Sequence, residues 1–345
     1  MKKILIDESL NFYKANLHCH STISDGNKTV EELKRDYIAH GYSIIAFTDH
    51  EVYVNHDDLT DEKFLALNGY ELAVNEQKTS DRESRKTCHI CYIALDRNND
   101  ISVCFNKDNH FCRNAEEYVH SQHYIGTPDY IRTYSAEGIS EMMKSGRKNG
   151  FFVTYNHPAW SLETYPQYSE YCGMNAMEIN NFGCVIAGYD DDNGHCYDDL
   201  LNCGNKIFCI ATDDNHNRQP DTDPSCDSYG GYTVITAPEL EYSQITKALE
   251  NGQFYSSTGN YMHCGPEIKS LIFEDGKVKI KTSDVRSIQI MHNIRSCTCV
   301  NAGNENTINE AEFDVKESKW FRLVVTDTEG YKAYTNAYFT DDLGI

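Results

Sequence analysis

Nine residues of metal-ligand type, His18, His20, Asp25, His50, Glu71, His89, His157, Asp214 and His216, are spread through the chain, most of them at the end of a run that reads as a β-strand. Two pairs, His18-Cys19-His20 and Asp214-Asn215-His216, are spaced i, i+2. On an extended strand that spacing turns both side chains to one face, which makes a chelate. Six histidines with three carboxylates suit borderline transition metals such as zinc, manganese or iron, whereas magnesium and calcium prefer oxygen shells. Two such ions about 3.5–4 Å apart can share a hydroxide, lower its pKa towards neutrality and clamp the attacking and leaving oxygens of a displacement. Glu71 sits in the middle of the order and is the natural bridge, because a carboxylate offers one oxygen to each ion. Singly, each residue has an ordinary reading: Asp25 before Gly26 fits a turn, Asp214 could cap a helix, and a histidine beside a proline often ends a strand. It is the ordered set that points to metal.

The elements that must position these residues follow from periodicity. From Asn16 to about Thr236 short apolar runs alternate with amphipathic segments, the pattern of βα units around a mostly parallel sheet or barrel. Asn16-Leu17-His18 ends the first strand. Thr29-Val30-Glu31-Glu32 reads as a capping box opening a helix to about His40, with Gly41 placed to end it. Ser43 to Phe47 is a buried strand delivering Thr48-Asp49-His50, and Leu72 and Cys88 to Leu95 suggest further strands. A helix from about Ala136 to Lys148 leads into the strand Phe151 to Tyr155 and the Asn156-His157-Pro158 turn. Asn175 to Ile179 and Lys206 to Ala211 read as two more strands, the second ending at Thr212-Asp213-Asp214-Asn215-His216. After Gly265-Pro266 the composition turns to short alternating runs, Ile268 to Phe273, Lys277 to Lys281, Ser287 to Met291, Phe321 to Val325 and Lys332 to Phe339, which is β-sandwich grammar. The expected architecture is therefore α/β over residues 1–264 followed by a small all-β unit over 265–345.

Other constellations carry less. Residues 96–134 break the rhythm and read as an insertion or lid; Cys104, His110, Cys112, His120 and His123 there match no regular zinc spacing, and a surface excursion is favoured. Cys88-His89-Ile90-Cys91 matches CxxC, yet in a strand residues three apart face opposite sides. His263 and His292 lack paired spacing and are read as structural. Asp49 and Asp213 could orient neighbouring ligands. Substrate anions would want a cation, and Arg82, Arg85, Lys86, Arg132 and Arg218 are candidates, with Arg132 and Arg218 preferred; Asn180 or Asn181, at the end of a strand, could line the pocket.

Thirty-one Lys and Arg against 53 Asp and Glu give a formal charge of -22, which opposes general nucleic-acid or anionic-membrane binding. The apolar start of the N-terminus is interrupted too soon, by Asp7 and Glu8, to serve as a signal-peptide core, and no run reaches membrane-spanning length. The fourteen cysteines are therefore expected reduced and the chain cytoplasmic. Walker A, HExxH, GxSxG and dinucleotide glycine motifs are absent from the sequence.

His-x-His near the N-terminus, Ser24-Asp25-Gly26, Thr48-Asp49-His50, Gly69-Tyr70-Glu71, the strand histidine His89, Asn156-His157-Pro158 and Asp214-x-His216 resemble, in order, the motifs of the polymerase and histidinol phosphatase (PHP) metallohydrolase superfamily over about 1–260. Gly252 to Gly259 and the trailing β-rich segment also resemble its carbaryl-hydrolase-like branch. The resemblance implies a distorted (β/α)7 barrel with two or three divalent metals at the strand ends. His18, His20, Glu71 and Asp214 would hold the first. Glu71 would bridge to a second completed by His89 and His157, and Asp25, His50 and His216 would hold the third. Glu71, Asp214 and His157 would take part in catalysis.

The leading expectation is a phosphoesterase acting on a small phosphorylated metabolite or nucleotide through a metal-bridging hydroxide. The alternatives are a hydrolase of a carboxylic ester, amide or carbamate, and a non-catalytic metal-binding interaction module. A polymerase accessory role is disfavoured, because the chain shows no obvious DNA-binding surface.

Overall fold

The computed structural model describes residues 2–77, 85–109, 114–296, 298–303 and 306–344. Arg82, His110 and Cys112 lie outside these residues. The first strands are β1 (Lys2–Ile6), β2 (Asn11–Asn16), β3 (Ile44–Phe47), β4 (Leu65–Asn75), β5 (Thr87–Ala94), β6 (Ile101–Ser102), β7 (His123–Tyr124), β8 (Phe151–Asn156), β9 (Ala176–Asn181) and β10 (Phe208–Thr212). They are followed by β11 (Gly231–Ala237), β12 (Phe254–Thr258), β13 (Ile268–Glu274), β14 (Lys277–Val285), β15 (Ser287–His292), β16 (Thr298–Asn301), β17 (Ile308–Asp314), β18 (Trp320–Thr326), β19 (Lys332–Thr335) and β20 (Tyr338–Phe339).

One long sheet runs β10-β9-β8-β5-β4-β3-β2-β11-β12-β19-β18-β15-β16. Its first seven strands carry or adjoin every residue of the ligand set, and most are wholly buried, as expected of strands covered on both faces. β2, β3 and β4 are parallel neighbours, as are β8, β9 and β10. β5 runs antiparallel to both β4 and β8, which the alternating pattern did not predict. The reason lies in the connection. Only residues 76–86 join β4 to β5, too few for a crossover helix, so the chain must turn back on itself.

No strand ladder joins β10 to β2 or β11. The ends nevertheless meet: the Thr233 hydroxyl donates to the Ala211 carbonyl at 3.0 Å and accepts from the Ala211 amide at 3.2 Å. Just beyond the strands, the Asp214 amide donates to the His18 carbonyl at 3.0 Å and the His20 amide to the Asn215 carbonyl at 3.2 Å. Gly231 allows this approach, because a Cβ there would lie 2.1 Å from the Thr212 carbonyl oxygen.

Two helices tie the rim to the core. Val30–Ala39 opens on the capping box read from sequence, with the Thr29 hydroxyl accepting from the Glu32 amide and the Glu32 carboxylate accepting from the Thr29 amide. It buries Leu33 and Tyr37, and the Tyr37 hydroxyl reaches Asp213 Oδ2 at 2.8 Å, linking the helix to the loop that follows β10. Ala136–Lys148, capped by Ser135, buries Ile139, Met142 and Met143 in one cluster with Ile90 and Val153 of the sheet. Each such aliphatic side chain contributes on the order of 1.5–3 kcal/mol by burial.

The C-terminal strands form a second layer. β1-β13-β14-β17 make a separate four-stranded antiparallel sheet, so the N-terminal strand is paired with the C-terminal region. Leu271, Phe273, Val278 and Ile280 of that sheet share a core with Ile288, Leu323 and Val325 of the long sheet. Among its described residues, the 96–134 excursion holds the two-residue strands β6 and β7 and a 3-10 turn, Ala115–Ser121. No helix among the described residues is long and apolar enough to cross a membrane.

Candidate metal centre

Seven of the nine ligand-type residues line one pocket of about 630 Å³ at the sheet rim, and His18 and His20 lie buried beneath it in the same clusters. His18 and His20 follow β2, His50 follows β3, His157 follows β8, and Asp214 and His216 follow β10. Glu71 and His89 arrive differently. They lie within β4 and β5, whose antiparallel register sets Glu71 opposite Cys91 and His89 opposite Ala73, so the two stand two residues apart along the pair. His157 and Asp214 adopt positive φ, 29° and 51°, a conformation that costs non-glycine residues energy and turns the chain sharply into the pocket.

Glu71 is the centre of the cluster and fully buried. Its Oε1 lies 3.2 Å from His18 Nε2, 3.1 Å from His89 Nδ1 and 3.4 Å from His157 Nε2, while Oε2 lies 3.1 Å from His50 Nδ1 and 3.5 Å from His20 Nε2. Asp214 Oδ1 lies 3.0 Å from His20 Nε2 and 3.2 Å from His18 Nε2. A second lobe opens towards solvent, with Asp25 Oδ1 3.3 Å from His216 Nε2 and 3.7 Å from His50 Nε2. The His20 ring stacks between those of His50 and His216, at 4.3 and 4.4 Å.

The electrostatics are those of a site built around positive charge. Burial alone would raise the Glu71 carboxyl, but His89, His18 and His157 hold it well below the usual carboxylate range. Burial disfavours charge on His50 and His157, yet hydrogen bonding to Glu71 and nearby carboxylates raise both to about 9. His20 goes the other way, pushed down to about 4 by burial and by the neighbouring His50 and His216. One buried atom in the middle of this arrangement, His20 Nδ1, makes no hydrogen bond. Orphaned lone pairs at such depth are costly unless something coordinates them. The donor set therefore fits divalent cations of the zinc, manganese or iron class.

Around the donors, Glu178 does the orienting. It is completely buried and accepts from His18 Nδ1 at 2.7 Å, the Thr212 hydroxyl at 2.7 Å, the His157 amide at 2.9 Å and Asn181 Nδ2 at 2.9 Å. Its grip on Nδ1 leaves the His18 Nε2 lone pair facing the cluster. A charged residue inside a buried strand was the available signal, though the sequence reading of Glu178-Ile179-Asn180-Asn181 looked to the asparagines instead. Asn181 does reach the site, donating to Asp214 Oδ2 at 3.1 Å, but Asn180 does not line the pocket and its Oδ1 is unpaired.

The acids that flank the motifs organise backbone. Asp49 accepts from the amides and hydroxyls of Ser21 and Ser24, shaping the loop that carries Asp25 and making no contact with His50 among its hydrogen bonds. Asp213 gathers the amides of Tyr229, Gly230 and Gly231, and Asp227 accepts from the amides of His216 and Asn217.

The two preferred arginines separate. Arg132, expected to meet substrate, does not line the pocket; its guanidinium is buried against the Glu51 carboxylate, at 2.7 Å to each oxygen, and the carbonyls of Ala73 and Cys104. Glu51 sits at φ 67° next to His50, so the excursion pins the rim from behind, and none of its described residues lines the pocket. Arg218 does line the pocket, 64% exposed, with Nη2 3.7 Å from Asp25 Oδ2. Arg85 and Lys86 do not line it. Cys104, His120 and His123 join no ligand-type cluster among the described residues; His123 pairs with Asp100 at 2.7 Å. His263 pairs with Asp327 and His292 with Ser318, away from the centre.

Sequence missed Trp160, Cys184, Ile186 and Ala187, which line the pocket. The short turn Pro158 to Glu163 carries the indole, and no local pattern marks it as pocket-facing.

Residues 16–186 match the model of the PHP domain. Solved structures similar to the chain include a two-domain protein containing a predicted PHP-like metal-dependent phosphoesterase from Bacteroides vulgatus (15% identity, 96% of each chain covered, TM-score 0.44). A second, from Bifidobacterium adolescentis and described as a metal-dependent phosphoesterase, is 13% identical over 59% of this chain and 87% of that one, with a TM-score of 0.35. A third, an amidohydrolase from Chromobacterium violaceum with bound sulfate and no metal, is 17% identical over 61% of this chain and 93% of that one, with a TM-score of 0.37. No curated protein matches the chain.

Proposed function

We propose that this chain, whose residues 16–186 match the model of the PHP domain, is a metal-dependent phosphoesterase that hydrolyses a small phosphorylated metabolite or nucleotide. The observation that carries the reading is Glu71, whose two oxygens divide five imidazoles between them within 3.5 Å. His18, His20, Glu71 and Asp214 would hold one divalent ion, Glu71, His89 and His157 a second, and Asp25, His50 and His216 a third. Ions of this class supply Lewis acidity and an acidified water.

The chain's own residues do the rest. Glu178 fixes the His18 tautomer, Asn181 steadies Asp214, and the Asp49-braced loop holds Asp25 at the open lobe. Asp214 turns Oδ1 to His18 and His20 and leaves Oδ2, 3.7 Å from His157 Nε2, to take a proton from water and return one to the leaving oxygen. Arg218 offers an exposed guanidinium for a phosphoryl oxygen. The twelve described cysteines are unpaired, which suits a reducing compartment, and the cytoplasm is the proposed location.

The test is hydrolysis. Protein stripped of metal and reloaded with manganese or zinc is expected to turn over a generic phosphomonoester or diester, and His18→Ala combined with Asp214→Ala is expected to abolish it. No turnover on a broad phosphate-ester panel, with metal demonstrably bound, overturns the reading. A carboxylic ester, amide or carbamate is the second reading, favoured by the apolar side of the pocket at Trp160; such compounds belong on the same panel.

A further inference from the structure

The pocket has two unlike walls. On the side of His89 and His157 stands Trp160, its ring edge-to-face with theirs at 5.2 and 5.0 Å and 37% exposed. The indole is on a fixed mount: the buried Asp191 carboxylate accepts the backbone amides of Ala159 at 3.0 Å and Trp160 at 2.9 Å. Ile186 and Ala187 also line the pocket. On the other side, by Asp25 and His216, Arg218 is the only lysine or arginine among the described residues lining the pocket. Asp227, also at the lining, adds negative charge, whereas the Glu51 carboxylate there is spent on Arg132.

We infer that the substrate is a singly phosphorylated ester whose organic group is aromatic or otherwise flat and apolar, lying against Trp160, with its phosphoryl group over the ligand cluster and towards Arg218. This deepens the proposed phosphoesterase function and rests on it. A half-exposed indole on a rigid mount loses little entropy when it takes a ring partner, and burying both faces releases water. With one guanidinium, already 3.7 Å from Asp25, and Asp227 at the lining, the pocket's own side chains offer no second cation for a further phosphoryl group. In the reaction, the oxygen of water bonds to phosphorus and the bond between phosphorus and the ester oxygen breaks. The electron pair stays on that oxygen, which takes up a proton and departs as the aromatic alcohol.

Benzyl phosphate and 2-hydroxyethyl phosphate, whose leaving alcohols are of comparable acidity, test the wall without confounding it with leaving-group chemistry. The metal-loaded protein is expected to favour the benzyl ester about tenfold in kcat/KM, and Trp160→Ala to shrink that ratio towards one. Binding gives a second readout: benzylphosphonate is expected to quench indole fluorescence and bind about tenfold tighter than methylphosphonate, with the quench lost in Trp160→Phe, which keeps only Trp320. Equal kcat/KM for the two esters, or an undiminished benzyl preference in Trp160→Ala, overturns the inference and leaves the phosphoesterase function standing. Turnover of neither ester, with benzylphosphonate still preferred, overturns that function while supporting an aromatic subsite.

Discussion

Glu178 shows how much of this site depends on a residue that holds no metal-facing position. It receives four hydrogen bonds and is the only partner of His18 Nδ1 among the described contacts. Glu178→Gln keeps the shape but removes the charge and reverses one side of the bonding, so metal affinity or activity is expected to fall by about 10–100-fold. Metal titration with a competing chelator measures it, and wild-type affinity would mean that His18 needs no anchor. The imidazoles make a second expectation. His50 and His157, raised to about 9, hold protons at neutral pH in the metal-free protein, whereas a cation requires the neutral ring. Metal binding should therefore release protons, and apparent affinity should climb as pH rises from about 6.5 to about 9. Stability of the metal-free fold runs oppositely: a pKa raised on folding contributes stability that is complete below the unfolded value and lost as pH passes the folded one, so its Tm should fall across that window. His20, pushed down to about 4, stays neutral throughout and adds nothing to the trend. Calorimetric titration in two buffers of different ionisation enthalpy reports the protons directly; identical heats would contradict the assignment.

The same logic extends to the elements. β5 reverses direction, and only that reversal sets His89 opposite Ala73, two residues along from Glu71; a parallel β5 would present its other end to the rim. The strand carrying His50 is followed by Glu51 at positive φ, and Arg132, from the 96–134 excursion, clamps that carboxylate from behind. Both side chains are almost entirely buried, so breaking the pair leaves a charge without its partner. Arg132→Met is expected to cost about 3–5 kcal/mol, read as a lower Tm and as weaker metal binding, because the displaced Glu51 disturbs its neighbour His50. An unchanged melting curve would show that the excursion is not what braces the rim. The helix Val30–Ala39 was readable from its capping box because a cap is a local interaction. The direction of β5 and the partner of Arg132 were not readable, since both depend on residues far apart in sequence.

At the scale of the molecule, the sheet that forms the metal rim does not stop at the C-terminal strands. β12 pairs with β19, and β1 pairs with β13, so each end of the chain is tied into the other. The buried Arg322 guanidinium on β18 meets Asp198 at 2.6 and 2.9 Å, fastening this layer to the helix Gly194–Asn202. If 265–345 is nevertheless a separate unit, as proposed from composition, a chain ending at Cys264 would fold and bind metal with unchanged Tm. The pairings predict otherwise: a β12 edge left open, β1 without a partner, and a protein that melts lower or aggregates, which thermal denaturation of the truncated chain decides.

What the sequence by itself determined is the inventory and the local grammar. The nine donors were named by type, order and i, i+2 spacing, and most strands and both capped helices were placed, because side-chain alternation and caps are properties of a few consecutive residues. The tertiary structure decided what depends on approach between distant segments. It set which imidazole faces which oxygen of Glu71 and gave Glu178 the orienting role that Asp49 and Asp213 do not take. It also spent Arg132 on Glu51 and left Arg218 at the pocket, and it raised an apolar wall at Trp160. Those outcomes follow from strand order and burial, and a charge far along the chain acquires its partner only when folding removes the water between them.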